Sequence, residues 1–81
     1  MAKSPHTHEY REFLELLRIT RAEAGLTQTD LAEAIESDQS TVSKCERGER
    51  RLDVIELRLW CSAMGLTLTG FAQRLESRLR R

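Results

Sequence analysis

Between Asp38 and Arg47 the chain carries a polar set whose spacing suits one side of a helix. At 3.6 residues per turn, Gln39, Ser40, Ser43, Lys44 and Arg47 fall on one contiguous arc. Val42 and Cys45 point the other way, with Glu46 at the edge of their stripe. The arc offers amides, hydroxyls and cations, with no carboxylate and no bulky apolar group. Such a face suits base edges and phosphates: glutamine presents a paired donor and acceptor to adenine, and lysine a donor to guanine O6 and N7. An ordinary solvated face can carry the same residues, so the elements that position the arc decide between the two readings.

A second short helix is expected just before it, over about 28–35. Thr27 can cap it, Asp30 places negative charge at its start, and Leu31, Ala32 and Ile35 share one face. The pattern breaks at Glu36-Ser37, and Asp38 is a good cap for a helix over about 39–47. Upstream, a longer helix is expected over about 8–24, with Tyr10, Phe13, Leu14, Leu17 and Ala24 on one stripe and Gly25 ending it. Arg21 stands inside that stripe. A guanidinium there needs a partner, because an unpaired buried charge costs several kcal/mol, and Glu46 is the candidate. The alternative is a snorkelling arginine whose stem alone is buried.

Downstream, Gly48 closes the third helix and Glu49-Arg50-Arg51 forms a loop. Asp53 and Glu56 make a capping box for a helix over about 53–64, with Val54, Leu57, Cys61 and Met64 as its core stripe and Trp60 at the border. Thr67 caps a fifth helix over about 68–79. There Leu66 and Phe71 are spaced as a hydrophobic staple, and Leu68, Phe71, Ala72, Leu75 and Leu79 form the stripe. Ile19, Ile55 and Leu59 fit no inner stripe. The fold class expected is all-α, a five-helix domain over 8–81 preceded by a flexible arm over 1–7.

Composition bounds the rest. Eighty-one residues, 40% hydrophobic and 32% charged, suit one small soluble domain. No run of apolar residues is long enough for a membrane span, and no signal peptide is visible. Formal net charge is zero, but its distribution is uneven. Residues 26–38 hold four acids and no base, whereas 39–51 hold Lys44, Arg47, Arg50 and Arg51 against Glu46 and Glu49. A neutral total with a local basic patch implies modest non-specific attraction to nucleic acid. Cys45 and Cys61 lie on apolar faces without CxxC spacing, which suits buried reduced thiols and a cytoplasmic protein. His6 and His8, the only histidines, make no credible metal site by themselves. No cofactor is expected.

Gly25-Leu26-Thr27-Gln28, Leu31-Ala32, Gln39-Ser40-Thr41-Val42-Ser43, Glu46-Arg47-Gly48 and Glu49-Arg50-Arg51 together resemble the helix-turn-helix of the phage-repressor (Xre/Cro-like) DNA-binding domains. The resemblance runs from about Leu14 to Leu75 and implies a lambda-repressor-like fold. It implies that Gln39, Ser40, Ser43 and Lys44 reach base edges of double-stranded DNA, while Gln28, Thr41, Arg47, Arg50 and Arg51 hold phosphates. It also supports the Arg21–Glu46 pair, since the family commonly pairs these two positions. Two departures stand out: Glu36 where the family usually has glycine, at roughly 1 kcal/mol, and Ser37 where it usually has an apolar residue.

The function implied is sequence-specific transcriptional regulation, by repression, through a homodimer on an inverted-repeat operator. Ile55, Leu59, Leu75 and Leu79 are the candidate dimer interface. No small-molecule effector domain is expected. A second reading is an antitoxin-type interaction module whose apolar surface covers a toxin-like partner, with or without DNA binding. An enzyme is disfavoured, because no acids and bases converge into a catalytic pair.

Overall fold

The computed structural model describes residues 7–80, and five helices make up the fold: α1 (His8–Glu23), α2 (Gln28–Ala34), α3 (Gln39–Glu46), α4 (Val54–Ala63) and α5 (Leu68–Leu79). The expected bounds agree to within a residue or so, because each start is written in local chemistry. The hydroxyls of Thr27 and Thr67 and the carboxylates of Asp38 and Asp53 each accept an amide hydrogen bond from the first turn they cap. Asp30 and Glu56 return the bond to the cap amide, so α2 and α4 both open with reciprocal capping boxes. Thr7 caps α1 in the same way, its hydroxyl accepting from the Tyr10 amide at 3.2 Å. The rest of the expected arm, residues 1–6 with His6, lies outside the described residues.

Helix α1 is the spine against which α3 and α5 pack, while α2 packs on α3 and α4. Coverage from two sides widens its buried arc beyond one stripe. Leu16 and Thr20, absent from the expected stripe, are 1% and 2% exposed beside Leu14 and Leu17. The Thr20 hydroxyl is satisfied by the Leu16 carbonyl at 2.8 Å, so its burial leaves no orphan. Phe13 meets Phe71 of α5 edge to face, at 6.0 Å between centroids. Ala24 and Ala72, both expected inside, are exposed. Ala24 sits at the cap, past the last covered turn, and the short side chain of Ala72 stops at the edge of α5's stripe.

The reading of α4 needs a larger correction. Trp60 is core rather than border, and Val54, expected in the core, is 59% exposed. The covered stripe consists of Leu57, Trp60, Cys61 and Met64, and Val54 lies about 70° from its centre at 3.6 residues per turn. As the first residue of the helix, Val54 also has no preceding turn to bury it. The outer face of α4 therefore presents Val54, Ile55 and Leu59 together. Leu75 and Leu79, expected to join that surface, instead line a groove with Tyr10, Phe13 and Leu52.

Three of the four turns after helices α1 to α4 place a glycine in the left-handed region; the exception follows α2, where Glu36 has φ +57°. The Glu36 and Ser37 amides donate to the carbonyls of Glu33 and Ala32, at 3.2 and 2.8 Å, satisfying the end of α2. That geometry is required, and glutamate adopts it at a cost. Glu36→Gly is expected to stabilise the protein by about 1 kcal/mol, raising Tm by roughly 4–8 °C for a domain of this size. An unchanged thermal midpoint would show that the glutamate is not strained there.

Candidate nucleic-acid interface

Helix α3 is anchored from behind. Val42 and Cys45 are buried, and Glu46, read from sequence as an edge residue, is 1% exposed. A carboxylate at that depth has to be fully engaged. Arg21 Nε and Nη2 donate to its two oxygens at 2.6 and 3.1 Å, the bidentate arrangement that gives strength and a fixed orientation. Arg21 Nη1 also donates to the Leu26 carbonyl, and Arg18 Nη1 donates to the Glu46 carbonyl, both at 3.0 Å. The guanidinium of Arg21 thus ties α1 to the end of α3 and to the turn before α2. The expected ion pair is present.

The same carboxylate reaches the exposed arc. Gln28 Nε2 donates to Glu46 Oε1 at 3.0 Å, and Gln39 Nε2 donates to Gln28 Oε1 at 2.7 Å. Because Glu46 only accepts, Gln28 must turn its amino group inward and its carbonyl outward. Gln39 must then turn its amino group toward Gln28. One amide hydrogen and the carbonyl of Gln39 remain available outward, the complement of an adenine edge. The family resemblance implied a phosphate-holding role for Gln28. The structure gives it two side-chain partners, and nothing in one sequence discloses that pairing, which depends on how α2 crosses α3.

The other expected positions divide. Gln39, Ser40, Lys44 and Arg47 are exposed along one side of α3, with Ser43 half-buried among them. Thr41 is set apart: it is half-buried beside Cys45, Leu59 and Trp60, in a small cleft of about 120 Å³ between α2, α3 and α4. Arg47 donates to Ser43 Oγ at 2.6 Å and, through Nε and Nη2, to Glu49 at 3.0 and 3.1 Å. Arg50 donates to Glu56 Oε2 at 2.8 Å and leans on the Cys45 sulfur at 3.6 Å. Arg51 lies over the Tyr10 ring, 4.4 Å from its centroid, in a cation–π contact.

Electrostatics follow these contacts. The Thr41 amide bond holds the Asp38 carboxyl below the usual carboxylate range, so the α3 cap is ionised at neutral pH. The Arg50 guanidinium, followed by the Asp53 amide, does the same for Glu56. Burial pushes the Cys45 and Cys61 thiols up, which leaves them protonated and unreactive as thiolates at neutral pH. Among the described residues, no group of three or more His, Cys, Asp or Glu side chains could hold a metal ion. Nor, among them, is any helix long and apolar enough to cross a membrane.

The chain matches the helix-turn-helix family model over residues 17–71. An XRE-family like protein from Pseudomonas syringae pv. tomato str. DC3000 is 41% identical, with 90% of this chain and 89% of that one covered at a TM-score of 0.82. The wild-type restriction-modification controller protein C.Esp1396I shares the fold at 24% identity, covering 94% and 100% of the two chains with a TM-score of 0.83. The same controller, solved as a tetramer with its natural 35 base-pair operator, aligns at a TM-score of 0.82, with 24% identity and the same coverage. No curated protein sequence matches the chain. The capped α2–α3 pair, the buried arginine–glutamate anchor and these matches agree: the chain belongs to the XRE-type helix-turn-helix family, whose members are DNA-binding regulators rather than enzymes.

Proposed function

We propose that the protein is a cytoplasmic, sequence-specific transcriptional repressor that binds an inverted-repeat operator as a homodimer, with α3 in the major groove. One observation carries this reading: the exposed arc of α3 is polar and cationic, and its leading amide is oriented from a buried ion pair through Gln28. A merely solvated face has no need of such orientation. Gln39, Ser40, Ser43 and Lys44 read base edges. Arg47 meets phosphate beside them; Gln28, at the start of α2, also lies near the backbone. Thr41, Arg50 and Arg51, set back toward α4 and α1, reach only flanking phosphates, and the two arginines do so by leaving Glu56 and Tyr10. That C.Esp1396I, with the same fold, is solved on operator DNA is consistent with this geometry.

Selection from random duplexes followed by footprinting is the direct test, and an inverted repeat protected on one face is the expected result. On the selected site, Gln39→Ala and Lys44→Ala are expected to change the preferred base at particular positions and to cost about 1–3 kcal/mol. Arg50→Ala is expected to weaken binding to all duplexes alike and to flatten the salt dependence by about one unit per half-site. An Arg50 variant with altered base preference, and a Lys44 variant without one, would reverse the assignment.

The exposed Val54, Ile55 and Leu59 favour a second reading, in which a toxin-like protein covers α4. Co-purification of a stoichiometric second chain from the native source would support it. A homodimer that buries these residues would leave nothing for such a partner to cover.

A further inference from the structure

We infer that Glu49 restrains DNA binding: it holds Arg47 in an intramolecular pair that only a correctly placed phosphate displaces. The inference rests on the DNA-binding reading above. Arg47 closes a fork-to-fork pair on Glu49 while its third nitrogen holds the hydroxyl of Ser43. One guanidinium therefore occupies both a phosphate-binding position and a base-reading one in the free protein. The pairing keeps the Glu49 carboxyl below the usual range, so it carries its charge toward Arg47 at neutral pH.

Two further arginines of the surface are also engaged, Arg50 by Glu56 and Arg51 by Tyr10. Lys44 shows no hydrogen bond or ion pair among the described residues. Non-specific affinity comes from cations that neutralise phosphates and release counterions. A cation paired within its own chain must first give up that partner, so it contributes less affinity than a free one, and this chain's net charge is zero. Arg47 and Glu49 are each about half exposed, at 54% and 56%, and such pairs are weak in water. A phosphate in the right register can take Arg47 from Glu49, and Ser43 is released toward the groove in the same movement. Out of register the clamp stays shut. Opening costs the operator complex the full strength of the pair, whereas on arbitrary duplexes the shut clamp withholds only a weaker phosphate contact, so Glu49 lowers affinity for the operator at least as much as for unrelated DNA.

The test is Glu49→Gln, measured on an unrelated duplex and on the selected operator across a salt series. Affinity for the operator is expected to rise about fivefold per protomer, the upper range for an exposed pair; the unrelated duplex gains at most as much, with its log–log salt slope steeper by about one as Arg47 takes up a phosphate. The operator gains at least as much, so the ratio of the two affinities does not fall. A double-mutant cycle separates the clamp from bulk charge: in an Arg47→Gln background the same change should have little effect. Equal gains in both backgrounds, or no gain in the first, would overturn the inference. Unchanged helical content confirms that these exposed substitutions leave the fold intact. A wild type without sequence preference defeats the operator reading alone, since affinity for the unrelated duplex still decides the clamp; a wild type that binds no duplex defeats both.

Discussion

Arg21→Ala is expected to destabilise the protein by roughly 3 kcal/mol, because it strands a buried carboxylate without its counter-charge. That is a large share of the 5–15 kcal/mol typical of a whole domain. The loss falls at the lower end of the range for a broken buried pair, since Gln28 still donates to Glu46 at 3.0 Å. The two partners are not equivalent. The Arg21 side chain is 17% exposed and that of Glu46 only 2%. Removing the glutamate leaves an arginine that can turn its head toward water, whereas removing the arginine leaves a carboxylate with no such exit. Glu46→Leu should therefore cost less than Arg21→Ala. The double change Arg21→Met with Glu46→Leu should recover much of the stability, as apolar replacements of buried pairs commonly do. Urea denaturation decides this: single losses below about 0.5 kcal/mol, the range of exposed pairs, would mean the bridge is solvated. The apolar pair has a second consequence. It restores packing but removes the acceptor that orients Gln28, so discrimination at the base pair read by Gln39 should not return with stability.

Residues whose partners lie within a few positions were readable from sequence. Thr27, Asp38, Asp53 and Thr67 announce helix starts because a cap needs only its own first turn. The Arg21–Glu46 bridge spans 25 residues and was still legible, since a cation inside an apolar stripe demands an anion and few candidates existed. The coverage of α1 and α4 was less legible. Leu16 and Trp60 are buried, and Val54 is not, because of which neighbours arrive on which side, and periodicity within one helix carries no record of that. The glutamine relay and the Arg47–Glu49 clamp were hidden for a related reason. They depend on helix crossing and on the path of the chain after Gly48, and polar side chains on an exposed arc look alike whether or not they are tied down.

Leu59→Glu is expected to leave a folded monomer whose affinity for the full operator falls on the order of a hundredfold or more, since a lost half-site forfeits several contacts of ~1–3 kcal/mol each. The expectation starts from exposure: Ile55 and Leu59 are 71% and 51% exposed, and Val54 beside them 59%. Neighbouring aliphatic side chains on one helix face gain by being covered, and a small domain with a limited core gains proportionately more. A second copy is the cover that the operator reading requires, because one α3 reads only a few base pairs and two must stand about 34 Å apart to meet successive turns of the duplex. Leu75 and Leu79 are less favoured as part of this contact, given their place in the groove beside Tyr10 and Phe13. A carboxylate in the middle of the α4 face would oppose its symmetry mate across the interface. Leu59 is half exposed on the far side of α4 from Cys61 and Met64 and meets the core only in the cleft beside Cys45 and Trp60, so the fold should tolerate the change. Sedimentation and circular dichroism together separate the outcomes. A helical monomer that still binds an isolated half-site supports the α4 interface. A dimer that binds normally moves the interface elsewhere, with the Leu75–Leu79 groove the next surface to test, and an unfolded chain would show that Leu59 supports the core despite its exposure.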